Sequence, residues 1–555
     1  MSERAQKWIA VGVPIALGLL LGCTRLGSLD LPLMLANGER ILADGAIPRT
    51  NVFSWVNADH AYLNDKWGFM VLVAGVERAG GIPALAALKM ALGGLMGALL
   101  FLVARVSLDR RAAATAACIA LTMLSYRLHL RAEWFSYAFV ATTLLLLPRV
   151  ASGDRRATIA QIALMPIWAA THGYWVLGPL VLLAWAVGDR SIRVAATGLA
   201  CVAAAAISPF GADNVLHPIG VLGQLSGPLA AAVTELRTPF SGGAPFTFFH
   251  ALALLLSCVA LFAVVVHFRA RRIGDALVLL LLLAVAWRLD RNLALLGLTL
   301  PLAVGASGRL ARGIVYADVV WIAGLVGLAM GAPSVARDRS FGVGEHAGRF
   351  PVTLLKSLPA AWASEHYIND FSLGSWLVRQ RGEAFIDGNT EGYPAEFLAR
   401  YRRILESDEA VASVQAQFAP DGWLLRTSSA PTRVLVLGLF IDGRAAPAKW
   451  DDVATLFRYD IDPEAADRQW REWLQSVYLP QARAWFPTAA DARSAAQAAL
   501  PDSAKNDELA LLRGAILVQP WSAELYGAMA DAYAARDDGV NAARCRRWAH
   551  LVGRK

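Results

Sequence analysis

Residues 30–67 read DLPLMLANGERILADGAIPRTNVFSWVNADHAYLNDKW, which is a polar, turn-rich loop with several carboxylates. The loop lies between apolar segments near residues 8–23 and 82–105, each of a length suited to crossing a bilayer. A carboxylate-rich loop flanked by such segments predicts that the chemistry of this chain takes place at a membrane face.

Composition places the whole chain among polytopic α-helical membrane proteins. Of its 555 residues, 56% are hydrophobic and 17% are charged, and the mean hydropathy is +0.44. Apolar runs alternate with short polar joints as far as residue 332, and the sequence after Pro333 is polar and mixed. We predict a transmembrane domain over 1–332 with its first outer loop at 24–66, an exterior α/β domain over 333–462, and a helical tail over 463–555.

About eleven transmembrane helices are predicted from the apolar runs. The first has a basic start but no clean cleavage site after it, so we expect a retained anchor rather than a signal peptide. The predicted spans are 8–23, 82–105, 112–128, 134–149, 157–171, 174–188, 194–208, 247–267, 275–288, 292–306 and 315–332.

The positions of Lys and Arg orient these spans. If the N-terminus is cytoplasmic, every joint that falls inside is basic: Arg105–Arg111, Arg149–Arg156, Asp189–Arg193, Phe268–Arg272 and Arg309–Arg312. An odd number of spans then puts the C-terminal domain outside, which is periplasmic in a cell with two membranes. We expect a multi-pass protein of the cytoplasmic membrane with its N-terminus inside. Much of the net charge of +8 lies in the inner joints, where it sets orientation and meets anionic lipid, so it is not a nucleic-acid signal.

Two exterior joints carry cations against this rule. Arg131 and Glu133 lie at one joint, and Arg288, Asp290 and Arg291 lie at the other. One interpretation is mutual pairing, of Arg131 with Glu133 and of Arg291 with Asp290. The other is a cationic pocket for a lipid phosphate, because guanidinium groups match phosphate oxygens. A helix continuing through the second joint would place Arg288 and Arg291 on one face.

The first outer loop contains a predicted helix from about Pro32 to Asp44. Ser28 or Asp30 can cap its start, and Gly45 suits a left-handed stop. An apolar face of this helix is expected to lie on the membrane surface; it comprises Leu33, Leu35, Ile41 and Leu42. Asp30 is then either a simple cap or a general base near the bilayer boundary.

Several motifs, in order over residues 20–400, resemble those of bacterial membrane glycosyltransferases of the GT-C superfamily, which includes protein mannosyltransferases and aminoarabinose transferases. They are Asp30–Ile41, Gly45–Trp55, Asn64–Trp67, Leu130–Tyr137, Trp168–Gly173, Ser208–Gly211, Ile368–Leu377 and Ala384–Tyr393. The resemblance implies an inverting transferase of the bacterial cytoplasmic membrane that takes a sugar from a polyprenyl-phosphate donor.

The same resemblance implies site residues. The catalytic candidates are Asp30 as base, Asp65 and His172; the substrate-binding candidates are Arg131, Glu133, Arg288, Arg291, Glu39 and Asn51. Three positions depart from the subgroup, which usually has His at Met34, Asp at Asn51 and a His-Glu pair at Asp65-Lys66. The alternative is therefore a catalytically inactive scaffold that binds envelope proteins through its exterior domain.

The C-terminal part carries short β-like runs at Ala384–Ile386, Trp423–Leu425, 434–437 and Thr455–Tyr459, with a helical stretch at 395–406. Residues 509–551 resemble one or two tetratricopeptide-type helix pairs, which are expected either to pack against the preceding domain or to bind an envelope protein. The sequence contains no metal-ligand spacing and no cofactor motif, so no cofactor is predicted. Whether the reaction requires a divalent cation is not decided by the sequence. A transporter is disfavoured because no inverted repeat is found.

Overall fold

The computed structural model describes residues 3–224, 238–240, 246–306, 340–358, 362, 364–404, 408–426, 435–436, 439, 445–459, 461–478, 507–519 and 522–553. The predicted span 315–332 and the basic joint 309–312 lie outside these residues. Of the predicted strand 434–437 only residues 435–436 are described, and they are helical, so the prediction was wrong for these two residues. Contacts divide the chain into two units. The first comprises Met1–Thr50 and Ala61–His346, and the second comprises Asn51–His60 and Ala347–Lys555.

The first unit is a bundle of apolar helices. They are α1 Glu3–Gly22, α2 Leu31–Asp44, α3 Trp67–Arg105, α4 Arg110–Leu124, α5 Ala132–Ala151, α6 Arg155–Thr171, α7 Leu177–Asp189, α8 Ile192–Ala205, α9 Ala212–Gln224, α10 Phe248–Arg269, α11 Ile273–Arg288 and α12 Leu296–Ala306. Short 3₁₀ turns at Ser125–Arg127, Gly173–Val176 and Asp290–Leu295 precede α5, α7 and α12.

Helices occupy the predicted spans wherever the structure describes them. Among the described residues, α3, α5 and α10 are long and apolar enough to cross a membrane, and Trp8–Gly22, Gly173–Asp189 and Ile192–Ala205 are shorter apolar helices. The total of eleven spans stays a prediction. The first half of α3 precedes the span predicted at 82–105, and the two halves are separated at Gly80 and Gly81, where Gly81 has a φ of 64°.

Glycines let α1 and α3 pack closely in antiparallel fashion. A Cβ added at Gly18 would collide with the carbonyl oxygen of Gly93, and one at Gly97 would collide with that of Pro14. In both helices glycine recurs at every fourth residue along this contact. This pattern favours close helix packing in membranes. Near this contact the ammonium of Lys89, buried in α3, donates to the carbonyl oxygen of Thr24 at 2.9 Å, just beyond the end of α1. That bond supplies a buried cation with an acceptor.

The basic joints meet at one end of the bundle. Asp109, Asp154 and Ser191 begin α4, α6 and α8 by accepting hydrogen bonds from backbone amides of the first turn. Arg193 reaches the carbonyl of Ala151 at 3.5 Å, and the Trp185 indole donates to Asp275 at 3.1 Å. The inside-assigned joints that the structure describes thus share one end, and the joints around residues 127–133, 172 and 290 lie at the other.

The second unit contains a four-stranded sheet in the order β1-β2-β4-β3, formed by β1 Tyr367–Asn369, β2 Gly422–Arg426, β3 Ala446–Trp450 and β4 Ala454–Arg458. β1 is parallel to β2 and the other pairs are antiparallel, with Trp423 opposite Phe457. The strands predicted at 423–425 and 455–459 are present. β3 was missed because Pro447 and Lys449, which suit only an edge strand, hide its pattern.

The second unit also contains these helices: α13 Val352–Lys356, α14 Phe371–Arg381, α15 Ala395–Ile404, α16 Asp408–Phe418, α17 Pro463–Trp473, α18 Glu508–Val518, α19 Ala523–Ala534 and α20 Gly539–Gly553. The indoles of Trp470 and Trp473 fix α17 on the sheet by donating to the Ala445 carbonyl at 3.1 Å and to the Thr455 hydroxyl at 2.8 Å. α19 and α20 pack against each other as a helix pair. The tetratricopeptide likeness of this tail stays a prediction.

Candidate functional site

The predicted loop helix is α2, and it ends as expected. Gly45 follows Asp44 with a φ of 66°, and its amide bonds the carbonyl of Ile41. The start differs from the prediction, because Asp30 occupies the cap position and makes no capping hydrogen bond with its side chain. Its carboxylate is engaged elsewhere.

The apolar face of α2 packs on protein rather than on a membrane surface. Leu33, Leu35 and Ile41 are buried, whereas Leu42 is 39% exposed. Leu35 lies in a cluster with Phe69 and Val73 of α3. The helices approach so closely at Gly38 that a Cβ there would collide with the Met70 carbonyl. The prediction of an interfacial helix face was therefore wrong for Leu33, Leu35 and Ile41, and packing on α3 gives α2 a fixed position from which it supports Asp30.

Arg131 joins the loop to the start of α5. Its Nη2 lies 3.1 Å from Oδ2 of Asp30, and its Nε donates to the Ser28 hydroxyl at 3.1 Å. Both residues proposed as helix caps thus contact one guanidinium. The Asp30 side chain is 40% exposed and that of Arg131 is 14% exposed, so the carboxylate is fixed on one side and open on another.

Glu133 forms a buried ion pair with Arg127. The distance from Arg127 Nε to Glu133 Oε2 is 3.3 Å, and both residues are more than nine-tenths buried. The Trp134 indole donates to the Arg127 carbonyl at 2.7 Å and holds the 3₁₀ turn against α5. Removing one member of such a pair would leave a buried uncompensated charge.

The joint after α11 differs from the predicted continuous helix. α11 ends at Arg288, and Leu289 is extended before the 3₁₀ turn begins at Asp290. Arg288 and Arg291 therefore do not share a helix face. Arg291 lies over the Tyr174 ring, with its Cζ 5.8 Å from the ring centre, while Arg288 is exposed and has no polar partner among the described residues.

Asp290 pairs with other groups of the same joint. Its carboxylate accepts from the Tyr126 hydroxyl at 2.5 Å and lies 3.1 Å from Nε2 of His250. The Tyr174 hydroxyl donates to Asn292 at 2.5 Å and ties this joint to the one at His172. Long-range hydrogen bonds thus hold the exterior joints of the sequence prediction together at one end of the bundle.

His172 lies between α6 and the following 3₁₀ turn and is 8% exposed. Its Nδ1 is 3.0 Å from the Ser136 hydroxyl oxygen. The next residue, Gly173, leaves room for Asp65, because a Cβ there would lie 3.1 Å from Oδ2 of Asp65. Asp65 is buried and pairs with the ammonium of Lys66 at 2.6 Å.

We call these residues the polar cluster: Asp30, Asp65, Lys66, Arg127, Arg131, Glu133, His172 and Arg291. Arg127, Arg131, Arg291 and His172 all lie near enough to Glu133 to act on its charge, and Asp65, Lys66 and Arg291 act likewise on His172. The cluster brings four cations and three carboxylates to one end of the bundle. Arg127 was not among the predicted site residues, although its position beside Arg131 in a short exterior joint was a usable signal.

Three predicted site residues lie outside the polar cluster. Arg288 is exposed, and Glu39 is partly buried on α2. Asn51 belongs to the second unit, where it is 2% exposed and donates from Nδ2 to the Gly392 carbonyl at 2.8 Å. Its neighbour Tyr393 is also buried, and this burial, together with the Asp387 carboxylate, raises the pKa of the Tyr393 phenol well above its usual range.

The motifs near Asn51, at 368–377 and at 384–393 build one structural assembly within the second unit. The Asn369 amide donates to the Ile386 carbonyl at 2.7 Å and accepts from the Phe385 amide at 2.9 Å. Ser54 pairs with Ala384 in a parallel bridge, and the Ala384 amide bonds the Phe53 carbonyl at 2.8 Å. These motif residues have clear structural roles here.

Among the described residues, no group of three His, Cys, Asp or Glu side chains is placed to hold a metal ion. The polar cluster contains cations interleaved with its carboxylates, so its electrostatics suit an anionic ligand.

The chain matches no protein-family model and no curated protein. It is similar to solved structures of the oligosaccharyltransferase from Archaeoglobus fulgidus. The structure of that enzyme, AglB, in complex with an inhibitory peptide and a dolichol-phosphate has a TM-score of 0.56 at 14% identity, covering 80% of this chain and 72% of that chain. The apo form gives 0.53 at 13% identity, and the form tethered to an acceptor peptide gives 0.55 at 13%, with the same coverage. The chain therefore shares the fold of the archaeal oligosaccharyltransferase.

Proposed function

We propose that this protein is a membrane glycosyltransferase that moves a sugar from a polyprenyl-phosphate-linked donor to an acceptor hydroxyl. The observation that carries the proposal is the polar cluster, in which an oriented and half-open carboxylate lies at the same end of the bundle as several cations. The chain shares its fold with an archaeal oligosaccharyltransferase whose structure is known in complex with an inhibitory peptide and a dolichol-phosphate. We place the reaction at the outer face of a bacterial cytoplasmic membrane, with the N-terminus inside, because the basic joints meet at the opposite end.

In the proposed reaction Asp30 is the general base. Its carboxylate takes the proton of the acceptor hydroxyl while that oxygen bonds the anomeric carbon of the sugar. The bond from the anomeric carbon to the phosphate oxygen breaks on the opposite side, and the electron pair stays on the lipid phosphate. Arg131 orients the carboxylate through the 3.1 Å contact. A second lone pair of the carboxylate stays available to the acceptor.

Charge on the leaving phosphate requires cations that are already in place. Arg291, held over Tyr174, and Lys66, next to Asp65, are the candidates that lie beside His172. Preorganised cations at the position where charge develops are commonly a large term in catalysis. Arg127 is committed to Glu133, and its role in this proposal is to keep Glu133 compensated rather than to bind phosphate.

The scaffold alternative is favoured by one observation. The Asp65 carboxylate is 9% exposed and bonds the ammonium of Lys66 at 2.6 Å, which withdraws one of the three predicted catalytic side chains into an internal ion pair. In a scaffold, the same ion pairs would stabilise the bundle, and no lipid phosphate would bind.

The two functions are separated by lipid binding and transfer in a bilayer. The full chain is reconstituted in nanodiscs, and native mass spectrometry measures binding of undecaprenyl phosphate, with phosphatidylglycerol as the control for anionic lipid in general. A pool of lipid-linked sugars extracted from bacterial membranes then serves as donor for transfer to envelope acceptors. Preferential binding of the polyprenyl phosphate together with transfer supports the enzyme. Equal binding of both lipids, or of neither, contradicts it and favours the scaffold.

A further inference from the structure

A chain of hydrogen bonds inside the bundle ends on His172. The Trp168 indole donates to the Ser136 hydroxyl oxygen at 2.8 Å, and that oxygen lies 3.0 Å from Nδ1 of His172. Trp168 and Ser136 are fully buried, with no exposed surface. Ser136 comes from α5 and Trp168 from α6, so two helices converge on one imidazole nitrogen.

The direction of these bonds follows from the available partners. The Ser136 oxygen accepts from Trp168, and its own hydrogen has no acceptor among the described residues other than Nδ1. The backbone amide of Tyr174 also donates to Nδ1, at 3.4 Å. Two donors aimed at one nitrogen require that nitrogen to be unprotonated, because a ring N–H cannot accept.

We infer that Trp168 and Ser136 are positioning residues that hold neutral His172 in the Nε2–H tautomer, so that His172 donates a hydrogen bond to the lipid phosphate and is not a proton acceptor. This inference rests on the proposed function for the identity of the anion. Nε2 makes no hydrogen bond with any residue that the structure describes. Its N–H is therefore left for a ligand, and Arg291 and Lys66 nearby favour an anionic oxygen there.

The tautomer is measurable without any substrate. Protein labelled with ¹⁵N-histidine in nanodiscs gives imidazole signals for 9 histidines, and the signal of His172 is assigned by its loss in His172→Gln. We expect the proton on Nε2 and a hydrogen-bonded, unprotonated Nδ1 in the wild type. Ser136→Ala should reduce the hydrogen-bond shift of Nδ1, because only the Tyr174 amide then donates to it. A proton on Nδ1 in the wild type, or an Nδ1 signal unchanged in Ser136→Ala, overturns the inference; the wild-type spectrum decides even if the variant does not fold.

Ligand binding separates this inference from the proposed function. Adding undecaprenyl phosphate should shift the Nε2–H signal. His172→Gln, which keeps a donor at the same reach, should retain affinity within about tenfold, and His172→Glu, which offers only acceptors, should lose about 10- to 100-fold or more. Equal affinities for the two variants overturn the donor role. An Nε2–H tautomer that the lipid leaves unshifted keeps the positioning by Ser136 but contradicts the lipid phosphate as ligand, and with it the proposed function.

Discussion

The carboxylate of Asp30 and the guanidinium of Arg131 lie 3.1 Å apart, although 100 residues separate them in the chain. Arg131 also binds Ser28, so one side chain fixes the entry to α2. Because its carboxylate makes this contact and no capping hydrogen bond, Asp30 is an oriented hydrogen-bond acceptor at the edge of the polar cluster. The contact also links the first outer loop to α5, and so to Glu133 two residues further on.

Asp30→Asn tests the base. The amide keeps the shape of the side chain but cannot take a proton, so we expect transfer to fall by about two to four orders of magnitude with the fold preserved. Turnover is measured in nanodiscs with a lipid-linked donor, and folding is checked by size-exclusion chromatography and thermal unfolding.

The matched control is Asp44→Asn. Asp44 lies at the other end of α2 and pairs with Arg40 on an exposed face, so the same change there removes a charge away from the polar cluster. We expect wild-type transfer. Equal losses in the two variants would attribute the effect to α2 itself and leave Asp30 without a catalytic role.

Arg291→Gln and Arg288→Gln separate the two arginines that the sequence grouped together. Arg291 lies over Tyr174 beside His172, and Arg288 is exposed. Removing one charge-assisted contact should weaken polyprenyl-phosphate binding by about 10- to 100-fold in Arg291→Gln. Arg288→Gln should leave the affinity unchanged. Titration by native mass spectrometry measures both, and a loss confined to Arg288→Gln would contradict the proposed phosphate site.

Asn51→Asp introduces the residue usual in the similar glycosyltransferases. The Asn51 amide donates to the Gly392 carbonyl at 2.8 Å, so a carboxylate there would face a carbonyl oxygen while buried. We expect the second unit to be destabilised by about 1 to 3 kcal/mol, with no gain in transfer. Hydrogen exchange at residues 384–393 reports the loss. Increased transfer at unchanged exchange would restore Asn51 as a substrate ligand.

Gly18→Ala and Gly12→Ala compare two glycines of α1. A Cβ at Gly18 would collide with the backbone of α3, whereas a Cβ at Gly12 meets nothing within 4 Å. We expect Gly18→Ala to lower the free energy of unfolding by about 1 to 3 kcal/mol through overpacking, and Gly12→Ala to be neutral or slightly stabilising. Thermal unfolding in detergent measures the difference. Equal stability of both variants would argue against the close α1–α3 contact.

The sequence by itself determined where the helices of the first unit lie. Apolar runs and their polar joints are local patterns, and so are the capping residues Asp109, Asp154 and Ser191, which begin helices wherever they occur before an apolar run. The left-handed stop at Gly45 is equally local, because only the backbone of one residue decides it. The second unit was less predictable, since the short strand β1 and the edge strand β3 have weak patterns of their own.

Only the tertiary structure decided which charged groups meet. The pairs Asp30–Arg131 and Arg127–Glu133 and the convergence of Ser136 and Trp168 on His172 depend on how helices pack. Sequence spacing predicted that Arg288 and Arg291 share one helix face. In the structure Leu289 is extended and ends the helix between them, so they do not share a face. The family resemblance placed Asn51 in the site, whereas in the structure its side-chain amide donates to the Gly392 carbonyl. Charge and periodicity fix which end of a helix a residue occupies, but its hydrogen-bond partner is fixed by contacts between distant segments, which local sequence does not encode.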